Sequence, residues 1–104
     1  MKRNAFAMRL KPGCEKEYKK RHDEIWPEMK DELRKAGISD YSIYLDKKTN
    51  TLFAFQYLAS DATNDKLPGK DIVKKWWHMM KDIMETNPDE SPVQDQLKEV
   101  FHMD

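Results

Sequence analysis

Strand-like and helix-like stretches follow one another in the order β-α-β-β-α-β, which predicts an α+β fold of the ferredoxin-like sandwich class. Three observations carry that prediction. Apolar residues recur at every second position in residues 3–10, 40–46 and 51–59. They recur at helical spacing in residues 18–36 and 72–83. Turn chemistry falls between the stretches, at Pro12-Gly13, Gly37 and Lys47-Lys48-Thr49-Asn50. A length of 104 residues corresponds to one domain, spanning 1–104. A chain of this size buries roughly 60–70% of the surface its unfolded form exposes, enough for one core with little to spare.

The elements can be justified in order. Residues 3–10 form the first strand, with Phe6, Met8 and Leu10 on one face and Ala5 and Ala7 on the other. A helix is expected from about Cys14 to Ala36, with Gly37 as its natural C′ residue. Pro27 lies inside it and lacks an N–H for the Asp23 carbonyl, so the helix should kink or split there. Residues 40–46 and 51–59 pair through a hairpin turn. Phe53, Phe55 and Tyr57 line one face of the second of these strands, and Leu52, Ala54 and Leu58 the other. A strand apolar on both faces is usually buried on both, and so small a domain has helices for only one. The other face is therefore expected to meet a second subunit. Asp61 is the expected cap of a short, weak helix ending at Pro68-Gly69. A firmer helix covers about Asp71–Met84, residues 85–95 are loop, and a last strand covers roughly Leu97–Met103.

Composition excludes several classes of function. Lys plus Arg and Asp plus Glu each number 19, so the net charge is zero and the signs are mixed. A counterion-release grip on nucleic acid is not expected. Lys16, Lys19, Lys20 and Arg21 are read as the wet face of the first helix. Cys14 is the single cysteine, which excludes an intramolecular disulfide and a CxxC motif and fits a reducing, cytoplasmic setting. The apolar run Ala5–Met8 is too short for a signal-peptide core or a membrane span. His78 and His102 have no partner at ligand spacing, so no metal site is expected. With three glycines, the chain has no phosphate-cradling loop.

The residues left for chemistry are aromatic and imidazole. Tyr18, His22, Ile25, Trp26, Met29, Leu33 and Ala36 fall within an arc of about 100° if the helix is continuous. His22 therefore points inward, where its protonation can be controlled. It is either a hydrogen-bonded histidine at the edge of the core or an acid–base group, and Tyr18 one turn earlier can bind the imidazole or a shared ligand. Trp76 sits in the inner stripe of the last helix with Ile72, Met79, Met80 and Ile83, where plain packing would account for it. Trp77 lies at the edge of that stripe. An indole pair beside Tyr and His suits a sugar, whose C–H faces stack on rings and whose hydroxyls need donors and acceptors. No carboxylate pair is singled out by spacing.

Tyr18-x-x-x-His22-x-x-x-Trp26-Pro27, Tyr41-Ser42-Ile43-Tyr44-Leu45-Asp46, Trp76-Trp77, Asn87-Pro88-Asp89-x-Ser91-Pro92-Val93 and Glu99-Val100-Phe101 together resemble the L-rhamnose mutarotase family. The resemblance covers nearly the whole chain in order and spacing. It implies a dimeric α+β barrel of ferredoxin-like protomers, a cytoplasmic role in rhamnose metabolism and no cofactor. It also implies a proton-donating histidine at His22 and sugar-binding residues at Tyr18, Tyr41, Trp76 and Trp77. The chain departs from the family at Asn64, where an aromatic is common, and at Lys66-Leu67-Pro68-Gly69, which breaks what is usually a helix.

The chemistry of anomer exchange agrees with these residue types. The ring hemiacetal opens, the C1–C2 bond turns, and the ring closes on the other face. Opening delivers a proton to the ring oxygen and removes one from the anomeric hydroxyl. A group titrating near working pH can do each in turn, which suits histidine. The second proton-transfer group is left between a tyrosine and a bound water. Two other readings share the fold: a cofactor-free monooxygenase or lactone isomerase of the dimeric α+β barrel group, and a non-catalytic small-ligand-binding dimer.

Overall fold

The computed structural model describes residues 2–60 and 67–104. Strand β1 (Lys2–Arg9) is followed by helices α1 (Glu15–Asp23) and α2 (Pro27–Lys35), strands β2 (Ile38–Asp46) and β3 (Thr51–Leu58), helix α3 (Asp71–Met80) and strand β4 (Gln94–Gln96). The four strands form one sheet in the order β2-β3-β1-β4, with every neighbouring pair antiparallel. This is the strand order of the predicted β-α-β-β-α-β sandwich, with the helices covering one face. Phe6, Met8, Leu52 and Ala54 project from that face and pack against Tyr18, Met29, Val73, Trp76 and Met80.

Pro27 splits the long helix outright. It occupies the first turn of α2, where its missing N–H costs nothing, and Trp26 before it takes extended angles (φ −57°, ψ 133°). The single inner stripe is thereby divided. Tyr18 and His22 lie on α1, Ile25 and Trp26 in the break, and Met29 and Leu33 on α2. Gly37 follows α2 at φ 91°, and its N–H donates to the Arg34 carbonyl, as a C′ glycine should.

One irregularity in β2 decides where Tyr41 points. Ser39 pairs with Tyr57 and Ser42 with Phe55, so both Asp40 and Tyr41 stand opposite Gln56. This is a β-bulge, and Asp40 takes the left-handed backbone it needs (φ 48°). In a regular strand with no bulge, Ile38 and Tyr41, three positions apart, would face opposite sides of the sheet. With it, Ile38, Tyr41, Ile43 and Leu45 all turn toward the helices. Replacing Asp40 with Val, which tolerates positive φ poorly, is expected to lower thermal stability by about 1–3 kcal/mol, whereas Asp40→Gly should not. Thermal unfolding of the two variants checks this.

The expected bounds shift most at two places. The last strand is Gln94–Gln96, not Leu97–Met103. Continuing its register along β1 would set Leu97 against Ala5 and Val100 against Lys2, but regular pairing ends at Gln96. Leu97 still donates to the Ala5 carbonyl and Glu99 pairs with Arg3 at 2.7 Å, but Val100, Phe101 and Met103 are exposed. Helix α3 stops at Met80, because Met84 forms a β-bridge to Leu10 and the Ile83 carbonyl accepts from Lys11. The predicted cap Asp61 and the departure at Asn64 lie outside the described residues, and Leu67–Gly69 form a 3-10 turn. On the sheet face away from the helices, Tyr44 (65% exposed) and Phe55 (45%) touch ring to ring with centroids 6.0 Å apart.

Candidate active site

A cleft of about 970 Å³ opens between the inner face of the sheet and the helices. Tyr18, His22, Tyr41, Trp76 and Trp77 all line it, so residues from α1, β2 and α3 that are distant in sequence share one cleft. Ordinary folding rules bring them there. Tyr18 and His22 occupy the inner face of α1 one turn apart. The bulge delivers Tyr41. Trp76 is anchored in the core at 7% exposure, while Trp77 stays half-buried at its edge. A shallower depression of about 330 Å³ on α1, between Glu15, Lys16, Lys19, Lys20, Asp23 and Glu24, carries charged side chains and no aromatic ring. It is the solvated helix face expected from the sequence.

The aromatic groups of the cleft form one chain of ring contacts and a separate pair. The Tyr18 ring stacks on His22 at 4.2 Å and 26°. Trp76 stands edge-on to His22 at 5.3 Å and to Trp26 at 5.2 Å. Phe6 meets Tyr41 at 6.4 Å, edge to face. Such arrangements suit the ring quadrupoles and hold the imidazole in one plane.

The hydrogen bonding of His22 assigns its tautomer. Its Nδ1 lies 3.0 Å from the Tyr18 carbonyl oxygen, which can only accept, so Nδ1 carries the proton. In the neutral ring, Nε2 then keeps the lone pair. Burial holds the His22 pKa below its ordinary value, although the Tyr18 carbonyl and Asp23 pull the other way. Both phenols are pushed in the opposite sense. Desolvation, with Tyr41 adding to it, raises Tyr18 well above the usual tyrosine value. Tyr41 leaves 37% of its surface in water, but its cleft-facing hydroxyl is desolvated and rises to about 12. The cleft thus holds an unprotonated base beside two phenols that remain donors.

Sequence reasoning missed the polar floor. Gln56 is buried in the sheet's inner face, Asn4 Nδ2 donates to its Oε1 at 2.9 Å, and Gln96 Nε2 donates to Asn4 Oδ1 at 2.6 Å. All three line the cleft. The parity of Leu52, Ala54 and Leu58 already put Gln56 on the inner face, and a Gln in that row was the signal. Glu90 was also missed. It lines the cleft, and its carboxylate accepts from Lys81 Nζ at 2.7 Å and His78 Nδ1 at 2.9 Å. Among the described residues, no group of three His, Cys, Asp or Glu is placed to hold a metal ion, and no helix is long and apolar enough to cross a membrane.

A preorganised histidine and a pair of indoles in a cleft over a small α+β sheet define a small-molecule site of an acid–base kind. Comparison with known proteins narrows the class. The family model described as L-rhamnose mutarotase matches residues 3–103. An L-rhamnose mutarotase of Bacteroides thetaiotaomicron is 61% identical over 104 residues, covering all of both chains. One of Rhizobium johnstonii is 57% identical over 103 residues, 99% of this chain and 97% of that one. The crystal structure of an L-rhamnose mutarotase from Formosa agariphila superimposes with a TM-score of 0.93 at 51% identity, covering both chains fully. This chain belongs to the L-rhamnose mutarotase family.

Proposed function

We propose that the protein interconverts the α and β anomers of L-rhamnose by acid–base ring opening and closure, with His22 as the proton-transfer group. The observation that carries the mechanism is the bond from His22 Nδ1 to the Tyr18 carbonyl, which leaves Nε2 as a base in a cleft-lining residue. Nε2 takes the proton of the anomeric hydroxyl. The C1–O5 bond breaks toward O5, which receives a proton from a phenol or a bound water. The open aldehyde turns about C1–C2, and the reverse transfers close the ring on its other face. Trp76 and Trp77 offer ring faces to the sugar's C–H surface, and Tyr18 and Tyr41 offer hydroxyls that are protonated in the resting site.

Saturation-transfer NMR on equilibrated L-rhamnose tests the proposal directly. The protein should speed exchange between the anomers with EDTA present. A folded protein that leaves the buffer-only rate unchanged would sink it. Tyr41→Phe is expected to raise KM by about threefold to tenfold, in line with loss of one hydrogen bond to the sugar. If Tyr41 also supplies the ring-oxygen proton, kcat falls with it, and steady-state exchange at several sugar concentrations separates the two.

The proposal includes a cytoplasmic homodimer. Tyr44 and Phe55 form an exposed aromatic patch on the sheet face that no helix covers, which is unusual for a surface facing water. A stable interface there should bury about 1,000 Å² or more in total. Light scattering at micromolar concentration should give twice the chain mass, and Phe55→Lys should shift the protein toward monomer. A monomeric wild type would overturn this part alone.

A further inference from the structure

Arg21 belongs by sequence to the wet basic face of the first helix, but the structure turns it inward. Its side chain is only 20% exposed and crosses to the end of α3. Nη1 donates to the Met79 carbonyl at 2.8 Å and to Asp82 Oδ1 at 2.8 Å, and Nη2 donates to Asp82 Oδ2 at 3.1 Å. Nε lies 3.5 Å from Glu17 Oε2, one turn back on α1. The Met79 carbonyl belongs to the last turn of α3, where carbonyls lack helical partners and the helix dipole favours a cation.

The place of this contact matters more than its strength. Arg21 is the residue before His22, and Met79 and Asp82 follow Trp76 and Trp77 on the other side of the joint. One guanidinium therefore ties the helix that carries Tyr18 and His22 to the helix that carries the indoles. We infer that Arg21 is a positioning residue whose clamp on Asp82 and the Met79 carbonyl sets the approach of α1 to α3, and with it the place of the His22 ring against Trp76. An ion pair whose carboxylate is 62% exposed adds little to stability. Its value lies in geometry, because the planar fork fixes direction as well as distance and an ammonium group does not reproduce it. The catalytic consequence rests on the proposed acid–base role of His22.

The test uses Arg21→Lys, Arg21→Met and Asp82→Asn in the full chain, read by His22 ring-proton NMR shifts, kcat, KM and melting. The Trp76 ring current displaces the His22 ring signals in the wild type, and in all three variants that displacement should shrink. The kcat for anomer exchange should fall about tenfold or more, since a misplacement of about 1 Å costs up to about 10²-fold. KM should change less than about threefold. Wild-type ring shifts and wild-type kcat per folded molecule in both Arg21 variants overturn the inference, and so does a lowered melting temperature as the sole effect. If Arg21→Met does not fold, Asp82→Asn alters only an exposed group and reads the same joint. Should the wild type itself fail to speed exchange, the proposed function falls, while the ring shifts still decide whether the clamp positions His22.

Discussion

His22→Asn is expected to lower anomer exchange by about 10²-fold or more while leaving the protein folded, since acid–base groups typically contribute about 10²–10⁴-fold. The fold should survive because α1 and α2 keep Tyr18, Met29 and Leu33 against the core. Sugar binding should weaken only modestly, as Tyr18, Tyr41 and the indoles remain. If His22 served only as packing, the pattern would invert, with a lower melting temperature and intact activity per folded molecule. The pH dependence gives a second reading. Burial holds the folded-state pKa below the ordinary 6.5, so the base form persists into mildly acidic solution and exchange falls only below that value. Stability follows the same sign. The unfolded chain binds the proton more readily, so the stability due to the buried neutral ring is complete above about pH 6.5 and is lost as pH drops through the folded-state pKa. His22→Asn should lose that part of the acid sensitivity. An exchange rate that rises toward acid would contradict the neutral-base mechanism.

The two tryptophans should separate in their effects. Trp76→Ala removes a side chain that is 7% exposed and touches both His22 and Trp26, and is expected to cost about 3–5 kcal/mol, a large share of a small domain's stability. Trp77→Ala removes a half-buried ring at the core's edge and should cost about 1 kcal/mol or less. It should nonetheless raise KM by about tenfold or more if the ring is a sugar platform, because aromatic contacts dominate such sites. Urea unfolding and exchange kinetics on both variants check the split. Equal stability losses, with KM unchanged in Trp77→Ala, would return both residues to packing.

The elements that sequence reading placed well are those with local causes. Pro27 breaks its helix because it lacks an N–H, and Gly37 ends one because its φ of 91° is cheap only without a Cβ. The alternation in residues 51–58 fixes which side chains face the helices. Placement went astray where the cause is distant. The last strand pairs with β1 only over Gln94–Gln96, a register that no window of sequence around Leu97 reveals. Arg21 passed for a solvated cation because its partners are 58 and 61 residues away. The meeting of His22 with Trp76 is likewise a product of packing, even though both residues stood out by type and periodicity. Gln56 was legible from parity but looked out of place among apolar neighbours until Asn4 and Gln96 supplied its company.

The bulge at Asp40 divides β2 into two stretches of opposite parity. Before it, Ile38 is buried and lines the cleft. After it, the strand's parity is reset, and Tyr41 belongs to the cleft. A lone extra residue thus lets side chains on both sides of the kink face the same cleft. Deleting Asp40 would remove the kink and leave Tyr41 on the inner face, since Ile38 and Tyr41 would then stand two positions apart.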